Sequence, residues 1–129
     1  QSARAIAIGQ SSGEQDQGNN AIAIGYFAGQ TGQAVNAISI GSNSGRLTQS
    51  ARAIAIGFSA GEQNQGVNAI AIGYLSGQTN QTTGAISMGF QLKIKIAYIG
   101  VSPEFGTRNI HSLATVLLRV ITAKLPNKI

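Results

Sequence analysis

The side chains able to do chemistry here are few, and their spacing is informative. Glu14, Asp16 and Glu62 are the only carboxylate side chains before residue 91, and His111 is the only histidine. Paired carboxylates can act as general acid and base, and several together can hold calcium. Three acids spread over 48 residues are too few for either. His111 stands beside Ser112 in an irregular stretch and reads as a surface or packing residue. There is no cysteine, hence no disulfide and no thiolate metal site. The glycines have no adjacent lysine and no strand–loop–helix context, which excludes a phosphate-binding loop. The sequence therefore predicts no enzyme, no metal and no cofactor. What remains is a spaced aromatic set, Tyr26, Phe58 and Tyr74. It either pads a packed surface or stacks on the rings of a glycan.

The elements that position these residues are repeats. Ala-Ile-Ala-Ile-Gly begins at Ala5, Ala21, Ala53 and Ala69, with near copies at Ala37 and Ala85, so six units recur every sixteen residues. Counted from each Ala, the fifth position is Gly9, Gly25, Gly41, Gly57, Gly73 and Gly89. The ninth is Gly13, Gly29, Gly45, Gly61 and Gly77, and the thirteenth is Gln17, Gln33, Gln49, Gln65 and Gln81. A unit this short cannot bury an apolar face alone, so the array must stack. Gln1–Gly9 is identical to Gln49–Gly57, which marks a 48-residue super-repeat of three units. Gln1–Arg4 thus reads as the end of a preceding coil, and the chain as a piece of a longer array whose targeting segments lie elsewhere.

Alternation of Ala with Ile is a period-two pattern, which suits a strand with two unlike faces and fits a helix badly. The pattern predicts two apolar ladders inside a flattened coil, Ile6, Ile22, Ile38, Ile54, Ile70, Ile86 and Ile8, Ile24, Ile40, Ile56, Ile72, Met88. The glycines are predicted corners, where φ is positive or backbones pass closely. A second, more polar strand is expected around Ala28–Thr31. Asn20, Asn36 and Asn68 precede the Ile strand and suit a tight turn. Stacked about 4.8 Å apart, the Gln residues would form an amide ladder in a rod about 25–30 Å long. Twelve large apolar side chains are a small core for some 90 ordered residues, and the flat Ala face (Ala5, Ala7, Ala21, Ala23, Ala53, Ala55) would let rolls pack closely. A homo-oligomer is expected.

Asn-Ala-Ile-Ala-Ile-Gly followed by x-x-[Ala/Ser]-Gly resembles the head repeats of trimeric autotransporter adhesins, the YadA-like family, and similar repeats of phage and viral fibres. The resemblance covers residues 1–90 and falls on Ile22, Ile24, Gly25, Ala28 and Gly29 and their counterparts. It implies a left-handed parallel β-roll, an all-β β-solenoid with three chains to a head, displayed on a bacterial cell surface or virion. Its implied partners are two further copies of itself and a host-surface protein or glycan receptor. The bacterial repeat is commonly shorter and has Ser-Val where this chain has Ala-Ile, so the sixteen-residue unit with its Gln column looks closer to a viral or phage fibre. Two other roles fit the repeats: a passive spacer with the receptor site in another domain, and an ice-binding solenoid. The second needs a regular Thr face, and Thr31, Thr48, Thr79, Thr82 and Thr83 are scattered.

Charge divides the chain. Arg4, Arg46 and Arg52 balance Glu14, Asp16 and Glu62, whereas residues 91–129 hold Lys93, Lys95, Arg108, Arg119, Lys124 and Lys128 against Glu104. A neutral array and scattered basic residues predict no nucleic-acid partner. No stretch approaches the roughly twenty apolar residues of a membrane-spanning helix, so no direct insertion is expected. The 91–129 tail has two readings. In one it is a cap, with a strand at Gln91–Ile96 and a helix whose face is Ile110, Leu113, Leu117, Val120 and Ile121. In the other it is the repeat in a shifted frame: codons for Lys93–Ala97 permit Asn-Gln-Asn-Ser, and those for Leu118–Lys124 permit Ala-Gly-Tyr-Asn-Gly-Gln.

Overall fold

Each Ala-Ile-Ala-Ile-Gly unit supplies one short strand, because its β-branched residues favour extended backbone and its glycine ends the run. The computed structural model describes residues 1–91. Both tail readings, and His111, lie outside the described residues. Strands β1 (Ile6–Ile8), β2 (Ile22–Ile24), β4 (Ile38–Ile40), β6 (Ile54–Ile56), β8 (Ile70–Ile72) and β10 (Ile86–Met88) form one six-stranded sheet. Strands β3 (Thr31–Gln33), β5 (Leu47–Gln49), β7 (Gln63–Gln65) and β9 (Thr79–Gln81) form a second, four-stranded sheet. Every pairing is parallel and in register with the repeat, as in Ile22↔Ile38 and Gln33↔Gln49. No helix occurs among the described residues. The protein is an all-β, parallel β-solenoid of sixteen-residue coils. The second strand starts at Thr31 and not at Ala28, since Ala28 lies in the preceding turn, its N–H bonded to Gly25 O at 3.3 Å.

Hydrogen bonds between coils continue through the turns. Gly25 N–H donates to Ile8 O of the coil before at 2.8 Å, and Ile22 N–H to Ala37 O of the coil after at 2.9 Å. Keeping this up around corners requires positive φ. The fifth-position glycines have φ from 118° to 131°, a region that side-chain-bearing residues rarely enter. They also stack on one another: a Cβ on Gly25 would sit 2.6 Å from Gly41 O. Three further corners use φ between 48° and 60° at non-glycine residues, among them Phe27, Thr48, Arg52 and Leu75.

The core is the reverse of the sequence expectation. Ala21, Ala23, Ala37, Ala53, Ala55, Ala69, Ala71 and Ala85 are fully buried, joined by Ser39 and Ser87. The isoleucines point outward: Ile6, Ile8, Ile40, Ile56 and Met88 are exposed, and Ile22, Ile24, Ile38, Ile54, Ile70, Ile72 and Ile86 are half-buried. The two Ile ladders exist in the expected register, but outside the roll. The physical reason is width. Gln33 Nε2 reaches straight across the roll to Ile22 O at 2.7 Å, so a single Gln side chain spans the gap between the sheets. A second large side chain from the facing strand has no room there, and only Ala or Ser fits. The Ala face is consequently unavailable for contacts between rolls.

Candidate interaction faces

Three sets of side chains run along the rod, each fixed by recurring positions of the repeat. The first is the outward face of the six-stranded sheet. Its two Ile ladders, ending in Met88, form an apolar strip about 29 Å long at about 4.8 Å per strand. Beside it, after the glycine corner, lie Tyr26, Phe58, Tyr74 and Phe90, each exposed. Phe58 stacks on Tyr74 with centroids 5.4 Å apart and planes 14° from parallel, and Tyr74 on Phe90 at 5.2 Å and 10°. Tyr26 stands apart from this stack. Ser42 occupies the intervening coil, and Tyr26 packs instead on Phe27 at 4.1 Å, tilted 45°. Both faces of the Tyr74 ring are covered by its neighbours. The Tyr74 ring therefore offers edges, not faces, to a sugar.

The second column is internal. Gln17 Nε2 donates to Gln33 Oε1 at 3.2 Å, Gln33 to Gln49 at 3.2 Å and Gln49 to Gln65 at 3.1 Å. The five glutamines are buried, and each amide also donates to the opposite strand, from Gln17→Ile6 O to Gln81→Ile70 O. The ninth-position glycines make room for them: a Cβ on Gly29 would sit 2.7 Å from the Gln33 amide carbon. This column is structural and meets no solvent.

The third group is polar and outward. Gln30 Nε2 donates to Glu14 at 3.0 Å, Gln78 to Glu62 at 2.9 Å, and Arg46 pairs with Glu62 at 3.4 Å. Arg46 also lies 5.8 Å from the centroid of Phe27, a cation–π contact invisible to pattern reading. Glu14 and Glu62 are three coils apart and engaged separately, so they form no carboxylate pair. Among the described residues no group of three or more His, Cys, Asp or Glu could hold a metal ion. At the corner before the Ile strand stand Arg4, Asn20, Asn36, Arg52 and Asn68, all with φ near 60°. Thr31 and Thr79 share one column and Thr48 the next, so the described residues carry no continuous Thr face.

Comparison of the chain with protein-family models, with curated proteins and with solved structures found no match.

Proposed function

We propose that residues 1–90 are a segment of an extracellular fibre or adhesin head, displayed on a bacterial or virion surface, that attaches to a host surface as a homotrimer. The observation that carries this reading is the exposed strip of Ile and Met88 beside the aromatic column. Soluble chains rarely leave a contiguous apolar strip of this length to water, and such strips mark interaction faces. Packing three rolls about a common axis through these strips would bury it along the whole rod. The Ala residues are buried inside the roll, which leaves this role to the Ile face. The reading is of a binding and structural element.

Light scattering of the full chain at several concentrations tests the assembly. A mass three times that of the chain, unchanged on dilution, is the expected result, and a monomer overturns the trimer. Host-cell attachment tests the role, using fibres whose array is replaced by a spacer of equal length. Lost attachment supports direct binding. Retained attachment favours the passive spacer, which the mutual pairing of Glu14, Gln30, Arg46, Glu62 and Gln78 also fits.

A further inference from the structure

Along the corner before the Ile strand, two steps carry a side-chain bond, each donated from one coil to the next. Asn20 Nδ2 donates to Asn36 Oδ1 at 3.2 Å, and Arg52 Nε donates to Asn68 Oδ1 at 2.8 Å. The step between these pairs is different. Asn36 has its acceptor engaged with Asn20, and the residue one coil on is an arginine, whose guanidinium has only donors. The Asn36 Nδ2 group and the Arg52 Nη groups, on neighbouring coils of one corner, are thus exposed N–H donors with no acceptor among the described residues.

Arginine is also a strained choice here. Arg52 and Arg4 both adopt φ 60°, where the other coils place Asn or Gly, the residues that tolerate this region best. At this corner the chain accepts that strain twice, 48 residues apart, in the identical segments Gln1–Gly9 and Gln49–Gly57, as it accepts it at other corners at Phe27, Thr48 and Leu75. Three coils separate the two arginines, about 14 Å along one corner of the rod.

We propose that this corner binds an extended anionic polysaccharide. Arg52 and the Asn36 amide hold one oxyanion, a carboxylate or sulfate, and Arg4 holds a second about 14 Å along the polymer. The planar guanidinium matches such groups two N–H bonds at a time. The exposed amides of Asn20, Asn36 and Asn68 suit the hydroxyls between. The sparse charge argues against nucleic acid, which carries a phosphate charge every 1.7 Å or so of duplex. An array whose Arg4, Arg46 and Arg52 are balanced by Glu14, Asp16 and Glu62 is a poor match for that density. The inference names a ligand class for the surface attachment proposed above and rests on that reading.

The test is nitrogen–proton NMR of the full chain, following the arginine Nε–H and asparagine side-chain amide signals. A heparin-derived tetrasaccharide supplies sulfate, a hyaluronan tetrasaccharide supplies carboxylate alone, and maltotetraose is the neutral control. Arg52 Nε–H and the Asn36 amide are expected to shift together and saturably with one or both acidic sugars, while Arg46 and the neutral arm stay still. Arg52→Asn, which installs the residue used in neighbouring coils, should keep the circular dichroism spectrum and weaken binding about tenfold. Equal shifts at Arg46, Arg108 and Arg119, or unchanged affinity in Arg52→Asn, overturn the site. A chain that attaches to host cells while Arg52 is silent loses only this site. One that binds at Arg52 without attaching loses only the attachment reading.

Discussion

Gln49 Nε2 donates across the roll to Ile38 O at 2.7 Å, and the same amide reaches Gln65 Oε1 in the next coil at 3.1 Å. One side chain thereby fixes both the distance between the two sheets and the alignment of successive coils. Ser39 Oγ adds a bond to Gln49 Oε1 at 2.6 Å, so this glutamine is the most connected of the column.

Gln49→Ala should therefore destabilise the roll by about 3 kcal/mol, because it leaves buried donors and acceptors unpaired and opens a cavity. Urea unfolding of the parent and variant measures the loss. A change under 0.5 kcal/mol would mean that the buried amide ladder contributes little.

The inward Ala and outward Ile faces predict opposite outcomes for neighbouring residues. Ala55→Ile overfills a fully buried site and should cost about 1–3 kcal/mol, read as a lowered melting temperature. Ile56→Asp should leave the circular dichroism spectrum of the roll intact and reduce the mass found by light scattering. A soluble, folded Ile56→Asp chain with the parent mass would remove the Ile face from the interface.

Ser42 interrupts an otherwise regular aromatic column between Tyr26 and Phe58. A ring there would lie about 4.8 Å from each neighbouring level, within the range of stacked pairs. Ser42→Tyr should raise stability by about 0.5–1.5 kcal/mol and shift the aromatic circular dichroism. An unchanged melting temperature would indicate that the exposed rings of this column contribute little to folding.

Two glycines of similar appearance should respond in opposite ways. Gly41→Ala forces a Cβ to 2.7 Å from Gly57 O at φ 122°, and this strain should exceed about 3 kcal/mol and block correct stacking. Gly32 has φ 67° and ordinary van der Waals room, and Asn64 and Asn80 occupy the same corner in later coils. Gly32→Asn should be neutral or stabilising by up to about 1 kcal/mol through the unfolded chain. Thermal melts of the two variants separate the cases.

The stacking, the sixteen-residue coil and the parallel register were legible because identical residues must lie over one another in any array. The sense of the Ile strand was not. Period-two alternation defines two faces, and apolarity alone places Ile inside. What reverses the choice is the reach of the Gln side chain across the roll, a three-dimensional distance absent from the pattern. Phe27, Thr48 and Leu75 at positive φ were equally hidden, since their residue types suggest extended backbone. The Asn20, Asn36 and Asn68 corner was readable from residue type, but the donor-only step beside Arg52 required the direction of each bond.

The bonds joining one coil to the next lie along the rod, so a pull on its ends loads the seams in series. The weakest seam gives way alone and hands the load to its neighbour. A released coil of sixteen residues stretches to about 53–58 Å, against about 4.8 Å while stacked. Each rupture thus lengthens the tether roughly tenfold per coil and dissipates the tug in small steps, as a ripcord seam does in a climbing lanyard.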